Sequence, residues 1–194
     1  VVMGMGEPLA NLDQLLPALD VVSNENGLGI SPRRITISTV GLPKAIDRLS
    51  DMQTRYQLAV SLHAPNDPLR NQLVPVNDNI GIDAILTAAD RYFDISGRRL
   101  TYEYVLLGDI NDGEKHAREL VSLLRHRNVL LNVIPYNPVA GLPYKTPSKN
   151  RIARFREILE DGNITIRFRQ RKGDDINAAC GQLRRSEVVR IDPL

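Results

Sequence analysis

Short apolar runs alternate along the chain with longer stretches in which apolar residues recur at helical spacing. Val1 to Met5 forms a brief apolar run that ends at Gly6-Glu7-Pro8. Leu12, Leu15, Leu16, Leu19 and Val22 then mark one face of a helix. Arg34 to Val40 is rich in β-branched residues and closes on Gly41. Pro43 sits where a first helical turn tolerates it, ahead of Ala45, Ile46, Leu49 and Met52. The same alternation continues with a strand over Tyr56 to Leu62, a helix carrying Ile82, Ile85, Leu86 and Ala89, and a strand over Leu100 to Leu107. A helix from about Glu114 to Arg127 follows, with Asn111 or Asp112 as its cap. The last units are a strand over Val129 to Ile134, a helix capped by Ser148, and a strand over Ile164 to Phe168.

Six strands joined by crossovers of this length predict an α/β protein with parallel strands and right-handed connections. A doubly wound sheet and a partial β/α barrel both satisfy the pattern. Both bind ligands at the C-terminal ends of their strands. The polar residues gather there, at Gly6-Glu7, Ser38-Thr39, Ser61, His63 and Asn137, and this favours one concave site shared around a partial barrel.

Composition narrows the chemistry. One cysteine in 194 residues excludes internal disulfides and any multi-thiolate metal site built from this chain alone. No run approaches the roughly 18 apolar residues of a membrane span, so a cytoplasmic protein is expected. Residues 145–194 hold 12 Lys and Arg against 7 Asp and Glu, whereas the rest holds 13 against 16. A basic C-terminal third suits a polyanion such as RNA, and equally an ordinary solvated face. The chain opens at Val1-Val2-Met3 without a lead-in, which predicts an N-terminally truncated sequence.

Four segments carry candidate chemistry. Met3-Gly4-Met5-Gly6-Glu7-Pro8 places two glycines and a carboxylate at a strand end. There a ligand can approach the backbone, and Glu7 can accept from an ammonium; a plain glycine turn is the simpler reading. Ser61 and His63 share a strand face with Leu62 opposite. The glycine-flanked elbow of a serine hydrolase is absent, which leaves a polar ligand-binding strand end or a satisfied histidine. Pro135 and Pro138 brace Asn137, either as a ligand contact or as a turn residue. Cys180 stands among small residues in Gly173 to Leu183, near Arg169, Arg171, Lys172, Arg184 and Arg185. Such cations would depress a thiol pKa, while a small buried hydrophobe is the ordinary alternative.

Together, Met-Gly-Met-Gly-Glu-Pro, Ile-Ser-Thr-Val-Gly, Val-Ser-Leu-His-Ala-Pro-Asn-Asp, Ile-Pro-Tyr-Asn-Pro and Asp-Ile-Asn-Ala-Ala-Cys-Gly-Gln-Leu resemble, in order, the RlmN family of radical-SAM RNA methyltransferases. The Cfr methyltransferases share that scaffold. The resemblance runs from Val1 to about Arg185. It implies a barrel core over residues 1–185, with a loop carrying Cys180, and a tail over 186–194.

It further implies S-adenosyl-L-methionine bound across the strand ends. Gly6 and Glu7 would meet its amino group, Ser38 its carboxylate or ribose, and Ser61, Leu62, His63 and Asn137 the remainder. Cys180 would accept a methyl group. A second S-adenosylmethionine, cleaved at a [4Fe-4S] cluster fed by an electron donor, would yield the radical that activates that methyl. The product would be adenine methylated at carbon 2, an electrophilic ring position closed to simple displacement, in 23S rRNA and, as a second candidate, tRNA. The family's Cys-x-x-x-Cys-x-x-Cys cluster loop precedes the Met-Gly-Met-Gly-Glu-Pro strand and is missing here, so the chain by itself is expected to be inert. Two rivals remain: a cluster-less barrel that binds RNA, and an unrelated barrel enzyme with Glu7 and His63 as an acid/base pair.

Overall fold

The computed structural model describes residues 1–4, 6–138 and 141–169. Five strands form one sheet in the order β1 (Thr36–Thr39), β2 (Gln57–Ser61), β3 (Leu100–Leu106), β4 (Val129–Pro135) and β5 (Ile166–Phe168), and every pairing is parallel. Spatial order equals chain order. A chain that steps to the next strand in one direction, always with a right-handed crossover, lays all its helices on one face. A doubly wound sheet needs a reversal of strand order, and none occurs here. The topology is therefore an arc of a β/α barrel.

The crossovers are built from α1 (Leu12–Ser23), α2 (Pro43–Asp51), α3 (Asp67–Leu73), α4 (Ile82–Ser96), α5 (Glu114–Leu124) and α6 (Lys149–Asp161). Pro43 begins α2, and the Ser148 hydroxyl accepts from the Arg151 N–H at the start of α6, both as their positions predict. On β3, Leu100, Tyr102, Tyr104 and Leu106 are buried against the helices, where Ile85, Leu86, Leu120 and Phe155 meet them in one core. Each such leucine or isoleucine contributes about 1.5–3 kcal/mol by leaving water. The alternate residues, Thr101, Glu103 and Val105, face the other way and are half-buried. This inner face bounds a cavity of about 700 Å³ lined by Thr36, Gln57, Thr101, Glu103, Asn132 and Arg167, among others.

In the first expected strand, Val1 to Met5, only Val2 pairs among the described residues. Val2 donates its N–H to the Thr36 carbonyl at 2.8 Å and accepts from the Ser38 N–H at 3.0 Å, a parallel bridge beside β1. Gly4 and Gly6 have φ of 134° and 92°, so the backbone leaves extended geometry immediately after Met3. Neither Asn111 nor Asp112 caps α5; that position belongs to Gly113. Among the described residues, no helix is long and apolar enough to cross a membrane.

Candidate functional site

The polar strand-end residues converge at the C-terminal edge of β1 and β2, and a buried arginine organises them. Asn66 caps α3 by accepting the Leu69 N–H at 3.0 Å, and one turn later α3 delivers Arg70 to the interior, fully buried. Its Nε donates to the Leu62 carbonyl at 3.1 Å, and its Nη2 donates to the carbonyls of Ser61 at 3.0 Å and Val40 at 2.5 Å. Its Nη1 donates to Asn77 Oδ1. Strand-end carbonyls have no ladder partner, so a fork of donors satisfies several at once. Burial lowers the Arg70 pKa to about 10, against the opposing pull of Asp67, so it remains a cation at neutral pH.

Glu7 holds the same edge from the other side. Its Oε1 accepts the Leu9 N–H at 2.9 Å, capping the short turn Pro8–Asn11, and its Oε2 accepts the Val40 N–H at 2.6 Å. Gly41 then turns the chain at φ 95°, with its N–H donated to the Thr39 hydroxyl. Gly6 carries a positive φ of its own, yet a Cβ there would meet open space, so its dihedral and not close packing requires glycine.

His63 lies just past β2 and leaves strand geometry at φ 58°. Both Leu62 and His63 donate their N–H to the Glu103 carbonyl, at 3.0 and 3.2 Å. The imidazole Nδ1 accepts the Val105 N–H at 3.2 Å, which places the ring proton of the neutral form on Nε2. Burial, and then the nearby Arg70 charge, lower the His63 pKa to about 4. The ring is therefore a fixed neutral donor at physiological pH. The fully buried Asn111 secures it from below. Its Nδ2 donates to the carbonyls of His63 and Val105 at 2.9 and 2.8 Å, and its Oδ1 accepts the Leu107 N–H at 2.6 Å.

Ser38 and Ser61 face the cavity side of their strands, half-buried, while Leu62 is buried in the core. Asn137 is half-buried two residues beyond β4. Cys180 lies outside the described residues. Among the described residues no hydrogen bond joins Glu7 to His63, and each is engaged by backbone amides instead. Nor does His63 bond to Ser61.

Two contributors escaped the sequence reading. Arg70 sits in a seven-residue helix too short for a clear period. Glu103 faces the cavity level with Ser61 on β2 and Asn132 on β4, and accepts from Asn132 Nδ2 at 2.7 Å. Burial raises its carboxyl pKa, while the Asn132 bond and Arg169 oppose the rise. A charged residue between Tyr102 and Tyr104 was the available signal.

The exits of β1 and β2 offer a carboxylate, two hydroxyls and an imidazole N–H. This donor set fits a ligand bearing an ammonium, a carboxylate and ribose hydroxyls, as S-adenosylmethionine does. It does not fit an iron–sulfur cluster, whose irons need several thiolates; the chain has one cysteine, and the described residues contain no metal-ligand group of three or more His, Cys, Asp or Glu.

No family model matches the chain. It is 70% identical over 186 residues to a probable dual-specificity RNA methyltransferase RlmN from Rhodopirellula baltica, an alignment covering 96% of this chain and 50% of that protein. The crystal structure of a radical SAM methyltransferase from Sphaerobacter thermophilus superposes with a TM-score of 0.88 at 45% identity, covering 93% of this chain and 53% of that one. A domain of pyruvate-formate lyase-activating enzyme from Bacteroides vulgatus matches with a TM-score of 0.67 at 17% identity, covering 88% of this chain and 98% of that domain, and shares the fold alone. The chain spans about half the length of the RNA methyltransferase it matches. Over that span sequence and fold agree: the chain matches a portion of the RlmN family of radical-SAM methyltransferases.

Proposed function

We propose that this chain is the cofactor-binding barrel portion of an enzyme that methylates carbon 2 of adenine in 23S rRNA and tRNA, in the cytoplasm, using an electron donor. The observation that supports the reading is the set of polar residues at the exits of β1 and β2: Ser38 and Ser61 on the cavity side of their strands, and the neutral His63 just past β2, with Arg70 holding the Ser61 carbonyl. The two RNA classes rest on the dual specificity in the relative's name.

S-adenosylmethionine, when bound, supplies the methyl group. Glu7 and Gly6 receive its ammonium end, the Ser38 hydroxyl its carboxylate or ribose, and Ser61, Leu62, His63 and Asn137 the rest. Glu7 retains unused lone pairs on both carboxylate oxygens beyond the two amide bonds. His63 donates through Nε2–H without exchanging its proton near neutral pH. Cys180 is the methyl-carrying thiol.

Thiolates for a cluster are not supplied by these 194 residues, so the polypeptide assayed alone is inert. Calorimetry with S-adenosylmethionine tests the site. His63→Ala and Ser61→Ala should each weaken binding by about tenfold, the scale of one lost hydrogen bond to a buried polar group. Affinity unchanged from the parent chain in both variants overturns the assignment, and adenine methylation by the isolated chain overturns its inertness.

A further inference from the structure

Six arginines stand where the chain enters its strands. Arg33 and Arg34 precede β1, Arg55 precedes β2, Arg98 and Arg99 precede β3, and Arg125 precedes β4. Because the strands are parallel, all these entries lie at one end of the sheet, opposite the edge that carries His63. The register aligns Thr36 with Gln57 and Leu100 with Val129, so two residues back Arg34 comes level with Arg55 and Arg98 with Arg127. At about 4.8 Å between strands, the four entries span an arc of about 15 Å.

Ion pairing is routine elsewhere in the molecule. Arg48 pairs with Asp13, Arg91 with Asp47 and Asp51, Arg118 and Arg154 with Glu114, and Arg151 with Asp109 and Asp112. At the strand-entry end it nearly stops. Arg127 pairs with Asp90, but among the described residues none of the six arginines has a carboxylate partner. Arg33, Arg34, Arg55, Arg99 and Arg125 are exposed. Arg98 is half-buried, with its Nε shielded from solvent and without a hydrogen-bond partner. The connecting segments that carry these residues contain a single acid, Glu25. Asp51 and Asp94 close the neighbouring helices, and Asp51 is taken up by Arg91.

Unpaired like charges side by side disfavour the folded state unless an external anion answers them. Guanidinium groups suit phosphate, which they grip through two parallel N–H donors. We infer that the strand-entry end is a second RNA-contact surface, one that holds the sugar–phosphate backbone without reading bases. The inference rests on the RNA-methyltransferase reading of the opposite edge and extends it to the shape of the substrate. The seven-residue strands β3 and β4 separate the two ends by about 23 Å. A short single strand lying at the His63 edge cannot reach the arginines, whereas a folded RNA with a second arm can.

The test uses the 194-residue chain and two RNAs, a folded transfer RNA transcript and a short adenine-containing single strand, titrated by fluorescence anisotropy across potassium chloride concentrations. A variant carrying Arg33→Gln, Arg34→Gln, Arg55→Gln and Arg125→Gln should bind the transfer RNA at least about tenfold more weakly near 0.1 M salt. Its plot of log affinity against log salt should flatten by up to about 3.6, since each phosphate contact contributes about 0.9 to the slope. The short strand should be unaffected, and the four corresponding lysine substitutions should retain tight binding. Unchanged affinity and slope for the transfer RNA would overturn the inference, as would equal losses for both RNAs or no binding by the unmodified chain. The reading of the His63 edge fails by a different result: no binding of S-adenosylmethionine to the same protein.

Discussion

The Arg70 guanidinium donates to the Ser61 carbonyl at 3.0 Å, and in doing so fastens a helix that follows β2 onto the exit of that strand. The same group reaches Leu62 and Val40. Arg70→Met should therefore leave the buried Leu62 carbonyl, the part-buried Ser61 and Val40 carbonyls and Asn77 Oδ1 without this donor. Charged hydrogen bonds contribute about 1.5–3 kcal/mol each, so a loss of about 3 kcal/mol or more is expected in urea unfolding. Arg70→Lys should recover little of it, because one ammonium cannot reproduce the planar fork.

His63 should resist protonation. Its folded pKa of about 4 lies below the value near 6.5 expected in the unfolded chain. Between these values the unfolded state binds more protons. Stability from this group is thus complete above about pH 6.5 and is lost as pH falls toward 4, at no more than about 1.4 kcal/mol per pH unit. Ring-proton NMR should show no His63 titration between pH 6 and 8, and His63→Gln should remove this part of the acid dependence. A midpoint near neutrality would contradict the buried, amide-bonded ring.

Glu103 carries the opposite sign for a carboxyl. Burial raises its pKa, so the stability it contributes is present below the unfolded carboxylate pKa and lost as pH rises through the folded value. Glu103→Gln keeps an acceptor for Asn132 and removes the charge. At neutral pH the variant should be more stable by up to about 1 kcal/mol, and the advantage should disappear near pH 3.5. Urea midpoints at the two pH values check both halves.

Gly41 turns the chain at φ 95°, and a Cβ there would sit 2.9 Å from Ile85 Cγ2. Gly41→Ala should cost about 1–3 kcal/mol through strain and overpacking combined. It should also weaken S-adenosylmethionine binding, because the turn fixes the Val40 amide that Glu7 holds. Unaltered thermal and binding behaviour would show that the turn relaxes freely.

Much of this architecture was legible because parallel strands buried on one face repeat a simple alternation, as Tyr102, Tyr104 and Leu106 do on β3. Helix starts at Pro43 and Ser148 followed from local chemistry. What escaped depended on contacts distant in sequence. Asn111 reads as a helix cap from its neighbours, yet its amide is spent 48 residues away on the His63 carbonyl. His63 reads as the next residue of an alternating strand, yet it departs into positive φ after two amides converge on Glu103. Val1 to Met5 reads as a strand because apolar content outweighs its glycine, yet Gly4 takes a positive φ just past Met3. Glu7 and the Ser38–Ser61–His63 edge were visible as residue types at strand ends; Arg70, which joins those ends, was not.

Val40 is held from both sides by opposite charges: its N–H by the Glu7 carboxylate and its carbonyl by the Arg70 guanidinium. Glu7 and Arg70 are thereby coupled through one residue of backbone, and their substitutions should be non-additive. The Val40 amide also becomes an intrinsic gauge of the site. A ligand that draws on the Glu7 carboxylate changes the grip on that single N–H, so its hydrogen-exchange rate reports occupancy without any label on the ligand.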